Sequence, residues 1–152
     1  MDFLLKNKKG INGTNMIEFN ISGTVNSYNY WADNSKYLDE FAYNFYTDLF
    51  EKIAKDFNYY GNTKFEKEQL IILKQEINYR TNTVGNLHSL QELVQFGEKT
   101  SHALNLTNNI EEMWNQQNGH ILLSNLKKLG IDLSDLLDCC IKEDRTLWVL
   151  GL

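Results

Sequence analysis

The sequence predicts an α+β domain: an N-terminal β-hairpin, with a C-terminal strand as the candidate to complete it, packed on a four- to five-helix bundle. Three observations carry that prediction. Ile17, Phe19 and Ile21 alternate with Glu18, Asn20 and Ser22, the two-residue period of a half-buried strand. From Leu38 onward the apolar residues recur at three- and four-residue steps, the period of a helix with one buried face. The run Thr146-Leu147-Trp148-Val149-Leu150 then restores β-branched and aromatic residues at the far end of the chain. A length of 152 residues suits one domain spanning residues 1–152.

Taken in order, Phe3 to Leu5 is an apolar run followed by the turn pair Asn12-Gly13, so a hairpin between residues 3–5 and 17–21 is expected. A two-stranded ribbon is marginal alone and needs helices or a third strand. Asn34 or Ser35 can cap the first helix. Its stripe of Leu38, Phe41, Ala42, Phe45, Leu49, Ile53 and Phe57 predicts about six continuous turns, stopped by Gly61. Thr63 to Glu66 has the form of a capping box opening a helix through Leu70, Leu73 and Ile77, closed by residues 81–85. Ser89 to Glu92 is a second capping box, leading Leu93, Val94, Phe96 and Leu104. A further helix is expected from near Asn108, broken or kinked at Gly119 and closed by Gly130. A short helix from Asp132 or Ser134 to about Lys142 follows it.

Composition narrows the function classes. The net charge of −5 argues against direct nucleic-acid binding, which needs a basic face against phosphates, and permits a basic protein partner. No apolar run approaches the ~20 residues of a membrane span, and the first residues lack the long apolar stretch of a secretory signal. The two cysteines, Cys139 and Cys140, are adjacent and cannot join in a relaxed disulfide, so free thiols and a cytoplasmic, reducing compartment are expected. Adjacent side chains on a helix point ~100° apart, so only one of the two can face the core.

Motifs with built-in chemistry are missing. His88, His102 and His120 stand far apart and outside any metal-ligand spacing, no glycine segment resembles a phosphate-binding loop, and no serine sits in a nucleophile elbow. No metal, cofactor or catalytic residue is assigned. Two clusters remain. Asp132, Asp135 and Asp138 recur at three-residue steps and share a helix face, ahead of Glu143 and Asp144. Tyr28, Tyr30 and Trp31 precede the first helical stripe, and aromatics are favoured anchors at protein interfaces.

A small, acidic, tyrosine-rich chain without catalytic motifs has the character of a stoichiometric protein-binding inhibitor. The expectation is an immunity protein that neutralises a basic, nuclease-type toxin, with Asp132, Asp135, Asp138, Tyr30 and Trp31 as the partner-binding residues. This is an analogy of character, not a shared motif. The alternatives are a phage anti-defence protein, or a small enzyme whose dispersed site pairs a histidine with a nearby acid.

Overall fold

The computed structural model describes residues 2–13 and 15–151. It is an α+β fold in which a four-stranded antiparallel sheet lies against six helices. Strand β1 (Met16–Asn20) forms where the alternation predicts it. Its partner differs from the expected one, because the apolar run at residues 3–5 forms no strand and the nearby Lys6 makes an isolated bridge to Tyr37. Phe3 instead turns inward and packs its ring on Phe45. β1 pairs with β2 (Lys36–Asp39) on one side and β4 (Leu147–Gly151) on the other. β3 (Asn62–Phe65) extends the sheet beyond β4, giving the order β2-β1-β4-β3. The C-terminal strand therefore completes the sheet as expected, and does so from an interior position.

The long helix expected from residue 35 is divided. Residues 36–39 join the sheet as β2. The Asp39 side chain then accepts a hydrogen bond from the Phe41 amide and caps the one-turn helix α1 (Glu40–Tyr43). The chain turns at residues 44–46 and resumes as α2 (Thr47–Ile53). Two side chains from elsewhere compensate the break. Arg80 donates to the Phe45 carbonyl at 3.0 Å, and the Tyr46 hydroxyl donates to the Leu126 carbonyl at 3.0 Å. Helical spacing was kept across the break because strand, turn and helix all present their apolar residues to the same core.

Strand β3 lies where the sequence pattern points to a helix start. Thr63, expected to cap a helix, lies in this strand, and the capping box forms three residues later between Glu66 and Gln69, opening α3 (Lys67–Gly85). α3 buries Leu70, Leu73 and Ile77 as predicted but runs on through residues 81–85. The Ser89–Glu92 capping box opens α4 (Leu90–Gly97) as read from the sequence. Leu104 belongs to the next helix, α5 (Ala103–Gln117), and is exposed. The break at Gly119 is real: Asn118 takes a left-handed φ of 61° and its side chain caps α6 (Gly119–Lys142).

Gly130 does not end a helix, because α6 continues through it. A β-carbon there would stand 2.0 Å from Thr81 Oγ1 and 2.6 Å from the Tyr46 hydroxyl, so glycine serves the close approach of α3 and α6. The expected terminal helix after residue 132 is the second half of α6. It buries Cys140 and exposes Cys139, both as free thiols.

Tyr37, Tyr43 and Tyr46 are wholly buried. Burial, helped by the charge of Glu18, pushes the Tyr37 phenol up to about 12, and burial pushes Tyr46 up to about 12. Folded values above the ordinary value of about 10 mean that the stability these groups support is intact below pH ~10 and lost as pH rises through ~12. A spectrophotometric titration should show the Tyr37 and Tyr46 phenols ionising only together with loss of structure. Phe45 is equally buried, with rings of Phe3, Phe41 and Phe96 against it. Phe45→Ala should lower the unfolding free energy by about 3–5 kcal/mol, read from the shift in denaturant midpoint.

Candidate functional site

Register decides which side of the sheet each residue faces. Ile17, Phe19, Leu38, Phe65, Leu147 and Val149 join the helical core. Glu18, Asn20, Tyr37 and Trp148 lie opposite one another in the register and form the other face. Alternation suggests that this second face meets water, yet all five residues of β1 are buried. The connection between β1 and β2 folds back over it.

Two polar side chains of β1 hold that connection down. Asn20 donates to the Asn29 carbonyl at 2.6 Å, and its oxygen accepts from the Ser22 amide and hydroxyl. Glu18 is fully buried and accepts from Asn20 Nδ2 at 2.8 Å, the Ser35 hydroxyl at 2.7 Å and the Trp31 amide at 3.2 Å. All three partners are donors, which suits the acceptor-only carboxylate and offsets its removal from water. On the β4 side, Trp148 Nε1 donates to the Thr24 carbonyl and Lys64 to the Val25 carbonyl. Gly23 permits the tight path, since a β-carbon there would lie 2.4 Å from the Ser27 carbonyl oxygen.

Aromatic rings finish the cover. Trp31 stacks on Tyr37 with centroids 5.3 Å apart, and Tyr28 packs on Trp148 at 4.7 Å and on Tyr30 at 5.2 Å. Above these contacts, Tyr30 keeps 59% and Trp31 41% of its surface exposed, with Val25 at 43%. Trp31 has a left-handed φ of 53°, a conformation that costs a bulky residue on the order of 1–3 kcal/mol. Glu18 holds its amide, Lys8 donates to its carbonyl at 2.6 Å, and Tyr37 holds its ring.

The three aspartates lie elsewhere, on α6, whose apolar residues join the helical core. Asp132 pairs with Lys128, and Asp138 pairs with both Lys74 and Lys142. Lys142 and then Lys74 hold the Asp138 carboxyl below its ordinary value. Asp135 is exposed and makes no ion pair among the described residues. The five residues singled out in the sequence thus form two separate surfaces, one aromatic and one acidic.

His88 and His120 are exposed at helix starts. His102 has company that the sequence did not disclose: Glu51 lies 3.6 Å from its Nε2, and the Tyr59 ring packs on the imidazole at 4.7 Å. The Tyr59 hydroxyl in turn lies within hydrogen-bond distance of Glu40 Oε1, at 3.0 Å, and of Asn44 Oδ1, at 2.6 Å, with its one proton to offer between them. Burial, then the bond to Glu40, pushes the Tyr59 phenol upward. His102 Nε2 and the hydroxyl of nearby Tyr43 are buried without a hydrogen-bond partner among the described residues. No group of three or more His, Cys, Asp or Glu suited to a metal ion occurs among those residues. No family model matches the chain, and neither a curated protein nor a solved structure matches it.

Glu18→Ala tests the brace beneath the aromatic cover. Three donors lose their acceptor, so stability should fall by about 1–3 kcal/mol. The Trp31 amide should exchange with solvent faster, while the side-chain methyls of the core-facing Leu147 and Val149 keep their chemical shifts. Unchanged exchange at Trp31 would show that Glu18 does not hold the loop.

Proposed function

We propose that this protein acts by binding another protein in a stoichiometric complex, with Tyr30 and Trp31 as the anchoring side chains. The observation that carries this reading is the state of Trp31, which is half-exposed, locally strained and fastened at its amide, carbonyl and ring. Strain of this kind persists only where the surroundings over-determine it, and it concentrates at sites of function. A rigid aromatic presented from a braced loop loses little entropy on binding, which is the energetic advantage of a pre-organised contact surface.

The narrower form of the proposal is an immunity protein for a basic, nuclease-type toxin. Its support is the net charge of −5, which draws a cationic partner from a distance. In this reading Tyr30 and Trp31 govern dissociation. Asp135, the one of the three aspartates without an ion pair among the described residues, adds to the attracting field and governs association.

The experiment is capture of the partner from the source cells, followed by association and dissociation rates for variants. Trp31→Ala and Tyr30→Ala should raise the dissociation rate by roughly 10- to 100-fold or more, as for interface anchors. Asp135→Lys should slow association at low salt and leave dissociation unchanged. Unaltered dissociation for both aromatic variants would remove the loop from the interface.

A second reading is a small enzyme using His102 with Glu51. The buried, unpartnered Nε2 beside a carboxylate supports it. Turnover of a small substrate by the purified chain, abolished by His102→Ala in a folded variant, would favour this reading over the first.

A further inference from the structure

We infer that the cleft between α2, α3 and α4 binds a small organic carboxylate with an apolar body, read by Arg80 and Lys99. The cleft holds about 380 Å³, at the small end of the roughly 300–1,000 Å³ typical of ligand pockets. None of its lining residues belongs to the aromatic cover or to the His102–Glu51–Tyr59 cluster, and the inference is independent of both functional readings above.

Arg80 is the centre of the argument. A guanidinium offers five N–H donors in a planar fork. Nη1 spends its two, on the Phe45 carbonyl and on Asp48 Oδ1, and Nη2 spends one on Asp48 Oδ2 at 2.7 Å. The remaining two, Nε–H and the second Nη2–H, share one edge of the plane and have no partner among the described residues. Such an edge matches the two oxygens of a carboxylate. The group is already immobile: Asp48 grips one edge, and the Phe96 ring lies 5.4 Å beneath it. Little further ordering is needed when an anion arrives.

The surrounding residues fix the ligand class. Leu49, Leu87 and Phe96 supply apolar wall, and Tyr79 stands exposed at the rim. Of the charged residues lining the cleft, Lys52 is paired with Glu76 and Arg80 with Asp48. Lys99 makes no ion pair among the described residues, which leaves the cleft with one surplus cation in a protein of net charge −5. One surplus positive charge suits a monoanion. A phosphate dianion would bring uncompensated charge close to Asp48 and Glu76.

The test is a nuclear magnetic resonance titration of the full chain with phenylacetate, alongside phenylacetamide and phenethylamine. Saturable amide shifts at Thr83, Leu87, Phe96 and Lys99 are expected for the acid, with a dissociation constant on the order of 1 mM. The neutral amide should bind more weakly and the amine should not saturate. Lys99→Glu, at an exposed position, should weaken the acid by about fivefold or more while the fold persists. Arg80→Lys keeps the charge but removes the fork, and should also weaken it where the variant folds. Absence of saturable shifts, or equal affinity for acid and amide, would overturn the assignment, and so would an unchanged affinity in Lys99→Glu.

Discussion

Everything in this fold is arranged around a strand with no exposed face. β1 lies between β2 and β4, so its backbone is committed on both edges, and its side chains are buried on both sides. On one side Ile17 and Phe19 are apolar and meet the helices, at the usual gain for buried hydrophobic surface. On the other side Glu18 and Asn20 are polar, and burial there is tolerable only if every polar atom finds a partner. The segment between β1 and β2 supplies those partners from its backbone and from Ser22 and Ser35. The long connection is thereby converted from a tether into a third layer, on the side of the sheet away from the helices. The bonds that satisfy one buried carboxylate and one buried amide also hold its aromatic surface in place.

The readable parts of the fold were those set by local chemistry. The strand Met16–Asn20, the Ser89 capping box, the break before Gly119 and the C-terminal strand each depend on a few adjacent residues. Elements set by distant partners leave no such local signal. The helical spacing from Leu38 to Phe57 is compatible with one continuous helix. What divides it is a strand pairing with β1 and two hydrogen bonds, from Arg80 and to Leu126, whose partners lie 35 and 80 residues away. β3 escaped notice because Asn62 to Phe65 is only four residues long and its threonine resembles a cap.

The same division holds for the sites. Tyr30 and Trp31 stood out as aromatics ahead of a helical stripe, and the structure leaves both partly exposed. What the sequence could not convey is that Glu18, separated from Trp31 by 13 residues, fixes how the ring is presented. The aspartate spacing was legible too, but spacing alone says nothing of Lys74 and Lys142, which neutralise Asp138. His102 and Glu51 are 51 residues apart in sequence, so no local pattern joins them. In each case the chemistry-bearing residue type was visible, and its electrostatic surroundings were a property of the assembled chain.

The meeting of Tyr46, Thr81 and Gly130 has an evolutionary corollary. Three elements distant in sequence touch where a single methyl group cannot be accommodated, and the Tyr46 hydroxyl must also reach the Leu126 carbonyl. Drift at any one of these positions is therefore coupled to the others. A larger residue at 130 demands a smaller one at 81 or a shortened ring at 46, and α6 would otherwise move away from α3. Descendants of this chain could exchange most of their surface, loop aromatics included, while this trio stayed fixed or changed together. Kinship at great divergence is then better sought in a glycine inside the last long helix, matched to a small hydroxyl residue in the third, than in overall resemblance.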